Sequence, residues 1–164
     1  MNFDITKIAN VILYMLDNDV KQLNDKKLSI LLFLMDYNHL ENCGDKIFGD
    51  EYIKSGRHPE PKILGDIFGI IANDEDLEEE DERRYLITEL LEYIDIEILE
   101  KSKFVELKFI KMEEDFDESL FSKEEYKTIN KIVSKYKNES ARNLANATFK
   151  IDKVRETAKD TVII

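Results

Sequence analysis

Three side chains that could do chemistry occur at helical spacing in the first third of the chain: Asp36, His39 and Cys43, at positions i, i+3 and i+7. They could ligate a metal ion, or His39 and Cys43 could form the nucleophilic pair of a hydrolase. A zinc site usually has further protein ligands, and His58 is the only other histidine. A nucleophilic cysteine needs a lowered thiol pKa, which nothing in the sequence indicates. We therefore predict no catalytic residue, no metal and no cofactor, and interpret this face as a polar helix end with a half-buried thiol.

A second set of candidates lies between two predicted helices. Residues 46–54 are short and β-capable, and residues 55–61 contain one glycine and two prolines that fix a rigid, irregular bend. Asp50 and Glu51 do not form an acid pair, since neighbours on an extended segment point to opposite faces. Irregular segments on a rigid scaffold often carry binding. We predict that this bend contacts a partner through Asp50, Tyr52, Gly56, His58, Pro59 and Pro61. In the alternative interpretation, the glycine and prolines only set the turn and the tyrosine packs on the core.

The spacing of apolar residues predicts the helices that position these candidates. Asp4 or Asn2 can cap the first helix and Asn24 or Asp25 the second, which should end at a left-handed Gly44. Later caps are a capping box that begins at Ser122 and a cap at Ser140. The predicted helices span residues 5–16, 25–42, 61–72, 84–101, 123–136 and 141–149.

One segment has the alternation of a β-strand rather than a helix, residues 104–112. A lone strand needs a partner, for which residues 46–53 are the candidate, and an unpaired edge could accept a strand from another chain. We predict a mainly α fold: a single compact domain over residues 1–164, with about six helices and a small two- or three-stranded β element. The tail, residues 151–164, either docks on the core or serves as a protease signal or partner-binding segment.

Length and composition limit the class of protein. The chain has 164 residues, of which 43% are hydrophobic and 37% charged, typical of one folded domain with a well-solvated surface. The longest apolar run, residues 30–35, is far too short to span a bilayer. The N-terminus has an acidic residue where a signal peptide has basic ones, and the single cysteine allows no internal disulfide. We predict a cytoplasmic protein.

The negative charge is concentrated in one region. Residues 73–100 contain two basic and 13 acidic residues, a net charge of −11 within a chain total of −12. Such acidity disfavours nucleic acid as a partner and favours a basic protein. The acidic connector, residues 73–82, is interpreted as a solvated loop and helix start, and alternatively as a docking strip for a basic partner.

Short motifs occur in a fixed order along the chain. They are residues 8–13 (IANVIL), 27–40, 44, 49–52, 59–61, 121–125, 133–136, 140–144 and 148. This ordered series resembles the SocA-like antitoxin family, also called the Panacea domain, and the likeness covers about residues 5–149, nearly the whole chain. It departs from the family pattern at two positions: His58 replaces a glycine before the first proline, and Phe149 replaces a histidine after a threonine.

The resemblance implies a role that composition alone does not. By this resemblance, the chain looks like an antitoxin. Members of the family bind and neutralise a toxin, and one kind delivers its toxin to a protease. The partners that the resemblance implies are a cognate toxin and a protease or chaperone. The acidity of the chain adds that the toxin is basic and that nucleic acid is not a direct partner, and the short apolar runs predict no membrane; oligomeric state is not predicted. The alternative is a stand-alone regulatory or phage-encoded interaction module without a toxin, and the third hypothesis is the hydrolase using Cys43 and His39.

Overall fold

The computed structural model describes residues 3–164, and this part of the chain is mainly α-helical, as predicted. The predicted cap at Asn2 lies outside the described residues, and Asp4 caps the first helix. The α-helices are α1 Ile5–Asp17, α2 Asp25–Cys43, α3 Lys62–Ala72, α4 Glu82–Leu91, α5 Lys123–Tyr136, α6 Ala141–Phe149 and α7 Asp152–Glu156. The strands are β1 Tyr52–Ser55, β2 His58–Pro61, β3 Ile94–Glu100 and β4 Val105–Lys111.

Helix α2 is the centre of the core. Its apolar residues from Leu28 to Met35 are almost fully buried, and it packs against α5, α6, β2 and β4. The Asn24 side chain accepts a hydrogen bond from the Lys27 N–H at 2.8 Å, and Gly44 ends the helix with φ +87°. No helix within residues 3–164 has the length and hydropathy needed to cross a lipid bilayer.

The segment that was predicted to be an irregular bend is instead a β-hairpin. Strands β1 and β2 pair antiparallel, from Tyr52 opposite Pro61 to Ser55 opposite His58. Gly56, with φ +63°, occupies the first position of the two-residue turn, where a type II′ turn requires a glycine. The prolines therefore lie within a strand, and the turn is set by the glycine.

The second hairpin corrects two predictions. The predicted helix 84–101 ends at Leu91, and the next residues form β3, which pairs with β4 from Ile94 opposite Lys111 to Glu100 opposite Val105. The strand predicted over 104–112 therefore pairs with its sequence neighbour and not with residues 46–53. Ile94 and Ile98 lie four residues apart, which suits a helix, but Ile96 between them completes a two-residue period. Pairing β4 with its neighbour β3 also costs little loop-closure entropy, because only a short loop joins the two strands.

The tail docks along the outer edge of β1 through backbone hydrogen bonds and one isolated β-bridge, between Ile53 and Val162. The Tyr52 N–H donates to the Ile164 carbonyl at 2.9 Å, and the Ile163 N–H donates to the Tyr52 carbonyl at 2.7 Å. Further along, the Lys54 N–H donates to the Thr161 carbonyl at 3.0 Å. The side chain of Ile163 is buried and its neighbour Val162 is 46% exposed. Of the two interpretations that the sequence left open for the tail, the structure shows the docked one.

This alternation predicts different costs for two adjacent substitutions. Ile163→Ala removes a buried side chain and should lower the free energy of unfolding by about 2–4 kcal/mol, whereas Val162→Ala should change it by less than about 0.5 kcal/mol. Urea unfolding followed by circular dichroism measures both values. Equal effects of the two substitutions would show that the tail is not packed as described.

Candidate functional site

Asp36, the first of the three candidate chemical residues, is fully buried and holds a turn in place. Its Oδ1 accepts hydrogen bonds from the backbone N–H groups of Ile47 at 2.6 Å and Phe48 at 3.1 Å. Its Oδ2 accepts from the Tyr52 hydroxyl at 2.7 Å. All three donors come from the segment between α2 and β1, so the carboxylate joins the central helix to the hairpin.

Burial makes the charge of Asp36 costly. Desolvation raises the pKa of the carboxyl to about 6, against the three hydrogen bonds and the nearby Lys46 ammonium, which favour the ionised form. The pKa of Tyr52 is also raised, first by its complete burial and then by the Asp36 charge. The tyrosine hydroxyl is therefore protonated and acts as a donor to the carboxylate.

The other two residues of this helix face do not join Asp36 in a site. His39 is buried, and its Nδ1 lies 2.7 Å from the Asp45 carbonyl and 3.2 Å from the Asp45 carboxylate. Its Nε2 is buried and has no hydrogen-bond partner among residues 3–164. Cys43 is exposed and not half-buried as predicted, because the last turn of α2 extends beyond the core. Within residues 3–164, no three His, Cys, Asp or Glu side chains are grouped so that they could hold a metal ion.

Asp50, predicted to contact a partner, is buried and caps a helix from outside it. Its Oδ1 accepts from the N–H groups of Glu51 at 2.8 Å and Ile63 at 3.0 Å, and its Oδ2 accepts from Leu64 N–H at 3.0 Å. Pro61 precedes α3 and has no side chain that could satisfy these N–H groups. Burial raises the pKa of Asp50, and the hydrogen bonds from the start of α3 oppose that rise.

Tyr52 is buried against the central helix, so its ring is a packing element. The ring lies edge-on to Phe33 with centroids 5.4 Å apart, and the Lys46 ammonium lies 5.9 Å from its centroid. The same lysine donates to the Asp50 carbonyl at 3.0 Å. The side chains of Asp50 and Tyr52 are both buried beneath the candidate surface. Direct contact of these two side chains with a partner stays a prediction.

The two prolines of β2 fit the ladder because of where its N–H groups point. The backbone N–H groups of Tyr52 and Lys54 face the tail, so the residues opposite them, Pro61 and Pro59, lie at positions that do not bond to β1. Both prolines are buried, and they leave the outer edge of β2 without N–H donors at these positions. The outer edge of β1 is covered by the tail. Neither edge of this element is therefore free for a further strand.

The exposed part of the predicted site is the tip and outer side of the hairpin. Gly56 is exposed and His58 is partly exposed, and the pKa of His58 is lowered by burial and by the charge of Lys26, which favours the neutral imidazole. Beside them lies a groove of about 360 Å³ between β2, the first turn of α2 and one face of α3. We call it the hairpin groove. Its lining residues include Lys26, Ser29, His58, Glu60, Gly65 and Gly69.

The sequence pointed to this groove only in part. Gly65 and Gly69 are four residues apart, a spacing that leaves one face of α3 open, and a Cβ added at Gly69 would meet no atom within 4 Å. The contribution of Ser29 and Lys26 was missed, because nothing local to α2 shows that β2 runs beside its first turn.

Lys27, a buried lysine within one of the motifs that resemble the family, forms hydrogen bonds inside the protein. The Lys27 ammonium donates to the carbonyls of Lys21 at 2.5 Å and Lys137 at 2.9 Å, and burial lowers its pKa. The second carbonyl lies at the C-terminus of α5, where a helix favours a cation. Lys27 therefore ties the start of α2 to the end of α5 and is not available to a ligand.

Together, these contacts define a mainly α domain in which a hairpin and grooves are held on a rigid helical core. Residues 14–152 match the family described as "Antitoxin SocA-like, Panacea domain". The match covers most of the chain, and the protein belongs to this family, with the antitoxin-like role that the family implies in general. No curated protein and no solved structure matches the chain in the other two comparisons.

The raised pKa of Asp36 predicts a specific pH dependence. The folded carboxyl holds its proton up to about pH 6, whereas the unfolded one releases it near pH 4. The stability linked to this group is therefore present below pH 4 and is lost as the pH rises through 6. Between pH 4 and 7, the wild type should lose up to about 3 kcal/mol more free energy of unfolding than Asp36→Asn. Urea titrations of both proteins at several pH values measure the difference, and parallel curves would contradict it.

The capping role of Asp50 predicts a large effect from one carboxylate. Asp50→Ala leaves the N–H groups of Ile63 and Leu64 without an acceptor and should lower the free energy of unfolding by roughly 2–4 kcal/mol. Glu113→Ala is the matched control, since Glu113 is exposed in a loop, and should cost less than about 0.5 kcal/mol. If Asp50→Ala is as stable as the control, the carboxylate does not cap α3.

Proposed function

We propose that this protein neutralises a cognate toxin by binding it directly. The observation that carries the proposal is the family match over residues 14–152, since it implies an antitoxin role for the folded domain. Binding without chemistry is also supported by the use of Asp36, Asp50 and Lys27 in internal hydrogen bonds. We place this encounter in the cytoplasm, and the function requires no cofactor and no metal.

The contact surface that we propose is the hairpin groove. Gly56 and His58 would meet the toxin, and the buried Asp50, Tyr52, Pro59 and Pro61 would hold the hairpin rigid. A rigid surface loses little conformational entropy on binding, which favours affinity. The groove has an almost side-chain-free floor at Gly69, so a protruding side chain or helix of the toxin could approach the backbone of α3 closely.

Co-expression tests the function. Neighbouring open reading frames are first expressed alone to find one that arrests growth, and that frame is then expressed together with the gene for this chain. Rescue of growth and a co-purified complex are the expected results. Masking predicts that rescue persists in a host that lacks the major cytoplasmic proteases. Rescue that disappears in such a host would support presentation to a protease. A toxic neighbour that is neither relieved nor bound would overturn the proposal and favour a stand-alone interaction module.

Filling the hairpin groove should weaken the complex without unfolding the protein. Gly69→Trp places a large side chain where a Cβ meets nothing within 4 Å, and replacing a helical glycine does not destabilise α3. We expect at least tenfold weaker toxin binding, measured by isothermal titration calorimetry, at an unchanged melting temperature. The matched control is Lys131→Trp on the exposed side of α5, which should bind as the wild type does. Equal affinities of the two variants would exclude the hairpin groove as the contact surface.

A further inference from the structure

The second hairpin has one strand edge that is unpaired within the described residues, 3–164. Strand β4 is flanked by the start of α2, where the Leu107 N–H donates to Asp25 Oδ1 at 3.2 Å and Asn24 forms a bridge to Lys108. On the far side of β3, no strand or isolated bridge within residues 3–164 pairs with residues 94–100. The outer edge of β3 is therefore the open edge of this sheet.

The register shows which backbone groups this edge presents. Because the Leu107 N–H points away from β3, the residue opposite it, Ile98, points its own N–H and carbonyl away from β4. The same holds two residues earlier at Ile96, whose N–H is met by the exposed Asp95 side chain at 2.9 Å. An added strand would replace that local contact with a backbone carbonyl.

A groove lined by both apolar and acidic residues lies beside this edge. It has a volume of about 420 Å³ and is bordered by the end of α3, the acidic connector, α4 and β3. Ile98 is 42% exposed and Leu91 39% exposed, although both are large apolar side chains. A strand added to β3 would place every second side chain on the face that Ile98 shares, over this groove. The apolar lining consists of Ile70, Ile71, Leu77, Ile87, Leu91 and Ile98.

The charges around the edge determine what could bind there. Asp74, Glu75 and Asp76 line the groove, and of its described lining residues Arg84 alone is basic. Exposed acidic residues also lie along β3, at Asp95, Glu97 and Glu100. A second copy of this chain would bring the same acids opposite one another, which is destabilising. The charge therefore disfavours pairing between copies and favours a basic occupant.

We propose that the outer edge of β3 binds an extended segment of a partner protein in which apolar residues alternate with Lys or Arg. The segment adds to the hairpin as a third strand, its apolar side chains enter the groove, and its basic side chains meet the acids of β3 and the connector. The inference rests on the proposed function in one respect, that the partner which supplies this segment is the toxin.

The probe is an acetylated nine-residue peptide in which Val alternates with Lys, titrated into the full chain by calorimetry. We expect binding that weakens at least fivefold between 20 and 150 mM NaCl, because exposed charges are screened. A matched peptide with Glu in place of Lys should not bind. No binding by the Lys peptide, or equal binding by both peptides, would overturn the proposal.

Backbone methylation separates strand addition from simple charge attraction. Alternate residues of a strand direct their N–H groups to opposite edges, so methylating the N–H of either the Val set or the Lys set blocks one edge. We expect at least tenfold weaker binding for one methylated peptide and little change for the other. Equal effects from both sets would show that no ladder forms, as with a helical occupant.

A pair of variants locates the site on the protein. Ile98→Lys puts a cation at the open edge and should weaken peptide binding at least tenfold. Ile110→Lys is the matched control, since Ile110 is 38% exposed on the other face of the same hairpin, and should bind within twofold of the wild type. Both side chains are exposed enough that the substitutions leave the core intact. Equal affinities of the two variants would overturn the proposed location.

The same variants keep this inference separate from the proposed function. If the wild type binds the toxin and Ile98→Lys binds it equally well, the docking edge is wrong and the antitoxin function stands. If the wild type does not bind the toxin, the antitoxin function is wrong, and the peptide titrations alone decide whether β3 accepts a basic strand.

Discussion

The buried carboxylate of Asp36 is the interaction on which the rest of the structure depends. It is a charged group on the central helix, and it is held by two backbone N–H groups and one hydroxyl from the segment that follows that helix. A buried charge without such partners is strongly destabilising, so each of the three donors offsets part of the cost of burying the ionised carboxylate. Because its hydrogen-bond donors come from Ile47, Phe48 and Tyr52, the carboxylate fixes the path of residues 47–52.

The path that Asp36 fixes determines where the second buried carboxylate lies. Between the Phe48 N–H and the Tyr52 hydroxyl, the chain turns through Gly49, whose φ is +81°, and presents Asp50 to the start of α3. A helix that begins after Pro61 lacks a capping side chain of its own, and Asp50 supplies it from thirteen residues upstream of Ile63. Asp36 and then Asp50 therefore determine the orientation of α3. The hairpin groove and the groove beside β3 both border that helix.

What the sequence predicted well was local, and what it missed was the contact between distant segments. Caps at Asn24 and Ser122 need only residues three positions away, and both are formed as predicted. The strand β3 was missed because Ile94 and Ile98 satisfy a helical period as well as an alternating one. The structural use of Asp36 could not be derived, since its helical spacing to His39 suggests a shared face and gives no distance to the turn that it binds.

The two hairpins show opposite solutions to the problem of a strand edge. On the first, the tail covers β1 and two prolines remove donors from β2, so its backbone is closed to other chains and only its surface is available. On the second, the outer edge of β3 pairs with no strand in the described part of the chain and is flanked by acidic side chains. Protection by charge is selective, because it repels an identical acidic strand and not a basic one. Under the docking proposal, the second arrangement disfavours pairing between copies and still accepts a basic partner strand.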